Sequence, residues 1–67
     1  METTEVHPPL LLTMREAAEA LRIGRSTIYE LVAAGDLEVV HIGRSARVPV
    51  DELRRFVERR RHTRRLP

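Results

Sequence analysis

A cation and two hydroxyl groups stand at consecutive positions, Arg25, Ser26 and Thr27, directly after a glycine. A guanidinium group donates paired hydrogen bonds to phosphate oxygens, and serine and threonine hydroxyls donate to the same atoms. If this triplet opens a helix, the unpaired amides of the first turn and the positive end of the helix dipole favour an anion there. The triplet therefore predicts phosphate binding. The alternative is that the hydroxyls merely start the helix and Arg25 is solvated.

The helix that carries the triplet is predicted over about residues 25–34. Its inward face repeats at helical spacing and consists of Ile28, Leu31 and Val32. Gly35 is expected to end it, because glycine is common just past the last helical residue. Tyr29 and Glu30 remain on the outer surface beside the triplet. A carboxylate at Glu30 repels phosphate unless it accepts from a cytosine amine or pairs with a cation such as Arg25.

A shorter helix is predicted before this one, over residues 14–21. Thr13 and Glu16 fit a capping box, T-x-x-E, in which hydroxyl and carboxylate satisfy free backbone amides. Its inner stripe consists of Ala17, Ala18 and Leu21. Residues 22–24 form the turn, where Gly24 is expected to relax the backbone. Two short helices joined by such a turn are typical of a helix-turn-helix, whose second helix meets the DNA major groove with its first residues.

After the second helix the hydrophobic period changes from that of a helix to that of a strand. Residues 38–42 and 47–49 predict a β-hairpin around a turn at 43–46, and residues 10–12 could add a short edge strand. The tip is expected to carry Arg44 and Arg47, with Ser45 small enough to allow close backbone approach. Such a wing can place an arginine in a narrow minor groove, and His41 on the first strand can add a contact. The alternative is a solvated turn.

A third helix is predicted over residues 52–61. Asp51 is the expected N-cap, and the apolar face consists of Leu53, Phe56 and Val57. Three arginines at 59–61 would oppose the negative end of the helix dipole. The chain then divides into a disordered leader at 1–9, a DNA-binding domain at 10–61 and a basic tail at 62–67.

Charge is unevenly distributed along the 67 residues. All 12 basic residues are arginine, and the net charge is +2. Residues 1–38 carry three arginines against seven acidic residues, a balance of −4, whereas residues 39–67 carry nine against three, a balance of +6. Arginine suits phosphate recognition, so the basic half is a candidate anion-binding surface. A genome rich in G and C would also favour arginine over lysine.

Several functional classes are not expected. A chain of this length has a small core and no room for a deep catalytic pocket, so we predict no enzyme, cofactor or small-molecule ligand. The chain has no cysteine, and its histidines, His7, His41 and His62, are too far apart for a local zinc motif. No signal peptide or membrane span is recognisable, which predicts a cytoplasmic, nucleoid-associated protein with no membrane partner.

The segment from Leu10 to Val57 resembles the excisionase family of small winged helix-turn-helix DNA-binding domains, which are related to the MerR type. The motifs that carry this resemblance are "LLT-x-x-EAAE-x-L", "RSTIY", "AGDL", "IGR" and "RVP" followed by an acidic-apolar helix. The resemblance implies a mainly α fold with a small hairpin, a helix in the major groove and a wing on the adjacent minor groove. It places DNA contacts on Arg25, Ser26, Thr27, Tyr29, Arg44 and Arg47.

The resemblance leaves more than one role open. In one, an excisionase or recombination directionality factor binds attachment-site DNA cooperatively, bends it and assists an integrase. In another, a small MerR-like regulator binds promoter DNA, although regulators of that type carry a long dimerisation helix and the predicted elements of this chain stop at the third helix. A third is a protein-interaction or antitoxin-like module. The arginine-rich segment 54–65 distinguishes them if it contacts integrase, a neighbouring protomer or flanking phosphates rather than solvent alone.

Overall fold

The computed structural model describes residues 8–63, and the side chains of residues 8–61. Its elements in chain order are β1 (Leu11–Leu12), α1 (Met14–Leu21), α2 (Arg25–Ala33), β2 (Val40–Ile42), β3 (Ser45–Pro49) and α3 (Val50–Thr63). This architecture confirms the predicted winged helix-turn-helix. Most of the proposed leader and tail, with His7 and the side chain of His62, lies outside the described residues.

The start of α1 is built from the predicted capping box. The Glu16 amide donates to the Thr13 hydroxyl at 3.0 Å, and the Thr13 amide donates to the Glu16 carboxylate at 2.9 Å. The two alanines that follow, Ala17 and Ala18, are buried. Local bonds across three residues therefore set where this helix begins.

The turn between α1 and α2 differs from the prediction at Gly24. The left-handed residue is Arg22, with φ 62°, whereas Gly24 is extended, with φ −76°, and is the N-cap of α2. The amides of Arg22 and Ile23 donate back to the carbonyls of Glu19 and Ala18, at 3.1 and 3.0 Å. These bonds satisfy the free end of α1 and offset the roughly 1–2 kcal/mol that a left-handed conformation costs a residue with a Cβ atom.

The end of α2 follows the predicted glycine stop. Gly35 has a φ of +82°. Its amide donates to the Val32 carbonyl at 3.1 Å, and the next amide, of Asp36, donates to the Leu31 carbonyl at 2.9 Å. This pair of bonds is the Schellman pattern, which requires a left-handed residue at the glycine position.

The three strands form an antiparallel sheet in the order β1-β3-β2, so the predicted edge strand is present. The hairpin turn contains only Gly43 and Arg44, and Gly43 has a φ of +61°. A positive φ at the first of two turn residues is typical of a type II′ turn, whose twist matches that of the strands. The predicted four-residue turn was therefore wrong, because Ser45 already pairs with Ile42.

Helix α3 begins at Val50, immediately after β3, so the prediction of Asp51 as N-cap was wrong. The Val50 amide donates to the Leu10 carbonyl at 2.9 Å, a bond across the sheet that satisfies this amide without a capping side chain. Asp51 and Glu52 then lie in the first turn, where the helix dipole favours carboxylates. The helix continues to Thr63, two residues beyond the predicted end.

One small core joins every layer. Its buried side chains come from α1, α2, the loop before β2, β3 and α3, and they are Ala17, Ala18, Ile28, Leu37, Val48 and Leu53. Val57, which the sequence placed on the apolar face of the third helix, lies outside this core. Val57 is 41% exposed and borders an open apolar groove between α3 and the α1–α2 turn.

Candidate nucleic-acid interface

The outer surface of α2 presents the predicted triplet to solvent. Arg25, Ser26 and Thr27 are exposed, and Tyr29 is 55% exposed. Because Ile28 faces the core, the 3.6-residue repeat places Ser26 and Glu30 near the middle of the opposite side. Side chains that are able to donate hydrogen bonds and one carboxylate therefore share this surface.

The first turn of α2 has no side-chain cap. Its N-cap residue is Gly24, which has no side chain that could accept from the first amides. The first intrahelical bond runs from the Ile28 amide to the Gly24 carbonyl at 3.2 Å. The amides of the triplet point along the helix axis without an intrahelical acceptor. This turn therefore combines hydroxyls, a guanidinium group and backbone donors, and acidic residues do not occur in it.

The side chains of Arg25 and Glu30 do not pair with each other. Among residues 8–61, neither has an ion pair or a side-chain hydrogen bond. One of the two roles considered for Glu30, neutralisation by Arg25, is therefore not seen. The carboxylate is exposed on the same surface as the cation.

The wing presents its arginines differently from the prediction. Arg44 lies in the turn and is exposed, whereas Arg47 lies on β3 and is half-buried. The Nη1 of Arg47 donates to the Ala46 carbonyl at 3.0 Å. Only one guanidinium group is therefore located at the tip, because the turn is two residues long and places Arg47 on the strand.

The two faces of the hairpin carry different candidates. His41 is exposed on β2 and pairs with Ala46, whereas Arg47 pairs with Val40. Because alternate residues of a strand point to opposite faces, His41 and Arg47 lie on opposite sides of the sheet. Ser45, at the start of β3, is half-buried and shares the Arg47 face. The hairpin does not bring all of its predicted contacts to one surface.

A buried carboxylate that the sequence analysis missed connects α3 to the segment before β2. Glu52 is only 4% exposed. Its Oε2 accepts from the Glu38 amide at 3.1 Å and from Arg59 at 3.2 Å, and its Oε1 accepts from Arg55 at 3.4 Å. Arg59 also donates to the Asp36 carbonyl at 2.9 Å. The Glu38 amide thus donates to α3 rather than to a neighbouring strand, and β2 begins at Val40 rather than at the predicted Glu38.

The Glu52 carboxylate is stabilised in its charged form. Burial raises the pKa of Glu52, but four interactions together lower it by more than burial raises it. They are the hydrogen bond from the Glu38 amide, the hydrogen bond and the charge of Arg59, and the hydrogen bond from Arg55. The net pKa is below the ordinary value of 4.5. One signal was present in the sequence, because arginines three and seven positions after Glu52 share its helical face.

Neither a cluster of metal-binding side chains nor a membrane-spanning helix is found among the described residues. Within 8–63 there is no group of three potential metal-binding histidine, aspartate or glutamate side chains. In the same part of the chain, none of the helices has the length and apolar character needed to cross a bilayer.

Similarity to known proteins supplies the family. Residues 11–61 match a helix-turn-helix domain family. An excisionase of Streptomyces ambofaciens is 38% identical over 50 residues, which are 75% of this chain and 81% of that protein. This chain belongs to the excisionase family of helix-turn-helix domains. The match includes α2, the hairpin and most of α3, so the exposed triplet and the Glu52 network both lie inside the excisionase-family domain.

Two other relatives match shorter segments. A probable excisionase of Saccharopolyspora erythraea is 52% identical over 40 residues, 60% of this chain and 41% of that protein. A Mycobacterium tuberculosis protein named for DNA binding is 47% identical over 38 residues, 57% of this chain and 49% of that protein. The aligned part of this chain thus covers less than half the length of each of these two relatives.

Proposed function

We propose that this domain binds double-stranded DNA, with the first turn of α2 in the major groove. The observation that carries the proposal is the exposed, uncapped turn formed by Arg25, Ser26 and Thr27. Backbone amides and hydroxyls at a helix start fit phosphate oxygens, and Arg25 can bind a phosphate or the O6 and N7 atoms of guanine. Tyr29, one turn further along, adds a hydroxyl and an aromatic face.

Glu30 contributes sequence preference rather than affinity. Its exposed carboxylate lies near the middle of the reading surface and has no ion pair among residues 8–61. A carboxylate there is repelled by phosphates, but it can accept a hydrogen bond from the N4 amine of cytosine. Glu30→Gln should therefore bind random duplex more tightly and discriminate less between cytosine and the other bases at one position of the site.

The wing contacts the adjacent minor groove, and Arg44 is its main contact. This arginine is exposed in the turn, where the neighbouring Gly43 leaves open space around the backbone. Arg47, Ser45 and His41 are secondary contacts, because the first two are half-buried and His41 lies on the other face of the hairpin. An arginine in a narrow minor groove adds affinity through groove shape and potential.

The biological role that we propose is that of an excisionase. Two relatives carry that name, one of them aligned over most of its length. In this role the protein binds attachment-site DNA on the nucleoid, in the cytoplasm, side by side with neighbouring protomers, bends it and assists an integrase in excision. A small transcriptional regulator is the second candidate, supported by the relative that is named only for DNA binding.

Intramolecular contacts leave fewer arginines of the arginine-rich segment 54–65 available to a partner. Arg59 and Arg60 contact Asp36, and Arg55 contacts Glu52. The exposed Arg54 and Arg61 have no ion pair with the part of the chain that the structure describes. A deletion after Val57 would therefore disturb the fold, and the double variant Arg54→Ala/Arg61→Ala is the cleaner test of an integrase contact.

Titration of a labelled attachment-site duplex tests the DNA interface. Arg25→Ala should cost about 1–3 kcal/mol of binding free energy, or roughly 5- to 150-fold in Kd, and more on the preferred site than on random duplex. The matched control is Arg15→Ala, which removes another exposed helical arginine, paired with Glu19 at 3.7 Å, from α1. Equal losses from the two variants would remove α2 from the interface.

Excision in vitro, with the cognate integrase added, separates the two roles. An excisionase should bind tandem sites cooperatively and stimulate excision, and Arg54→Ala/Arg61→Ala should reduce stimulation while leaving duplex affinity nearly unchanged. Non-cooperative binding to one site without stimulation would favour the regulator. Unchanged stimulation by the double variant would remove these arginines from the integrase contact.

A further inference from the structure

The segment between α2 and β2 is held at three consecutive residues. The Asp36 carbonyl accepts from Arg59 at 2.9 Å, the Leu37 side chain is 1% exposed in the core, and the Glu38 amide donates to Glu52 at 3.1 Å. Both polar partners belong to α3. The Asp36 and Leu37 amides donate back to the Leu31 carbonyl of α2, so the backbone groups of this connection are satisfied from α2 and α3 together.

These bonds join the two elements that our proposed function places on DNA. The segment leaves α2 at its C-terminal end and enters β2, the first strand of the wing. Helix α3 follows β3 without an intervening residue, and Glu52 lies in its first turn. The bond from Glu38 to Glu52 therefore closes the base of the hairpin, and the bond from Arg59 to Asp36 attaches the end of α2 to the same helix.

We infer that Glu52 and Arg59 are positioning residues for DNA binding, which set the orientation of the wing relative to the reading helix. The inference rests on the proposed function, because it concerns how two DNA-binding elements act together. With the segment fixed, α2 and Arg44 meet the duplex without first losing the freedom of a mobile joint, and preorganisation of this kind increases affinity. Neither positioning residue needs to touch DNA.

Arg55 and Arg59 both donate to Glu52 but differ in their other hydrogen-bond acceptors, and this difference provides a matched pair of variants. Arg55 donates to Glu52 Oε1 and to the Asp51 carboxylate, and both of these acceptors lie within α3. Arg59 binds Glu52 Oε2 and the Asp36 carbonyl, so it alone of the pair extends to the segment. Arg55→Met and Arg59→Met each remove one charge and one bond to the buried carboxylate, but only Arg59→Met also removes a bond to the segment, at the Asp36 carbonyl.

The first measurement is hydrogen exchange at the Glu38 amide in the free full-length chain. In Arg59→Met this amide should exchange about tenfold faster than in Arg55→Met, while amides in α1 exchange alike in the two variants, as expected for a local opening. Arg59→Lys keeps one charged donor and should give an intermediate rate. This readout does not depend on DNA.

The second measurement is duplex affinity, with and without Arg44→Ala. Arg59→Met should lower affinity on the order of 3- to 10-fold, and the further loss caused by Arg44→Ala should shrink, because residues in one coupled network are not additive. In Arg55→Met the Arg44→Ala loss should equal that in the parent chain. Titrations are compared at a temperature where circular dichroism shows every variant folded.

The outcomes separate this inference from the proposed function. Equal Arg44→Ala losses in the Arg59→Met and Arg55→Met backgrounds, or equal exchange at Glu38, would overturn the positioning role while leaving DNA binding intact. If the parent chain does not bind duplex, the proposed function fails. The exchange rate of the Glu38 amide still tests whether Arg59 fixes the segment between α2 and β2.

Discussion

The first turn of α2 and the middle of α3 use arginine in opposite ways. Arg25 is exposed and has no ion pair among residues 8–61, whereas Arg55 and Arg59 donate to a buried carboxylate. The surroundings differ accordingly. The α2 turn holds no acidic residue, while α3 places Asp51 and Glu52 in its first turn.

This difference teaches that the arginine-rich half of the chain is not a uniform anion-binding surface. Arg55 and Arg59 pair with Glu52, whose charge the balance of +6 over residues 39–67 already includes. The number of arginines in this half, nine, therefore overstates the guanidinium donors that a polyanion would meet. A guanidinium group is a candidate for DNA contact only where the fold leaves its donors unused. The predictions that follow compare the α2 side of the molecule with the α3 side.

The largest expected effect is at Leu37, the buried side chain of the segment between α2 and β2. Leu37→Ala should lower the free energy of unfolding by about 2–5 kcal/mol, because it removes a buried side chain from a small core. Ile42→Ala, at a position 60% exposed on the wing, should change it by less than about 0.5 kcal/mol. Urea unfolding followed by circular dichroism measures both. Similar losses would mean that the segment is not part of the core.

A smaller loss is expected at the carboxylate on the α3 side. Glu52→Ala leaves the Glu38 amide and the Arg59 guanidinium without their acceptor, and should cost about 1–3 kcal/mol of unfolding free energy. Glu19→Ala removes the exposed pair with Arg15 and should cost no more than about 1 kcal/mol. A loss at Glu52 no greater than that at Glu19 would contradict a structural role for the network.

The same carboxylate predicts a pH dependence. The pKa of Glu52 is lowered in the folded protein, so its stabilising contribution is fully present above the unfolded value near 4.5 and is lost as pH falls through the folded pKa. Glu52→Gln should therefore flatten the decrease in stability below that pH. Thermal unfolding of both chains across this range measures the effect. Parallel curves would contradict the lowered pKa.

On the DNA side, the wing should show its contribution mainly through salt dependence. Arg44→Ala should reduce the slope of log affinity against log salt by about 0.9, the value for one phosphate contact on duplex DNA, with unfolding free energy unchanged. Arg47→Ala should reduce the slope less, since its guanidinium already donates to the Ala46 carbonyl. An unchanged slope in both variants would remove the wing from the contacts.

The smallest expected effect lies at the N-cap of α2. Gly24 has an ordinary φ of −76°, and an added Cβ atom would meet nothing within 4 Å. Gly24→Asn should raise the free energy of unfolding by a few tenths of a kcal/mol, because the new side chain can accept from a first-turn amide. That amide is then less available to phosphate, so duplex affinity should fall slightly. A rise in affinity together with stability would contradict a role for these amides.

Local signals in the sequence were sufficient for the order of elements and for much of the α2 surface. The Thr13 capping box, the stop at Gly35 and the inward repeat of Ile28 each depend on residues within about one helical turn of one another. Exposure of Arg25, Ser26 and Thr27 follows from that repeat. The family was recognisable for the same reason, since its motifs are these local signals in a fixed order.

Other features depended on contacts between residues that are distant in the chain. Glu38 and Glu52 are 14 positions apart, and Asp36 and Arg59 are 23 apart, yet these pairs set where β2 begins and which arginines are already bound. The start of α3 likewise depends on the Leu10 carbonyl across the sheet. Periodicity and capping patterns describe neighbours along the chain, whereas a buried polar group is satisfied by whichever donor the fold brings to it. For this reason the sequence alone specified an exposed helix start with a cation and two hydroxyls, while packing determined which arginines of the chain remain available to a ligand.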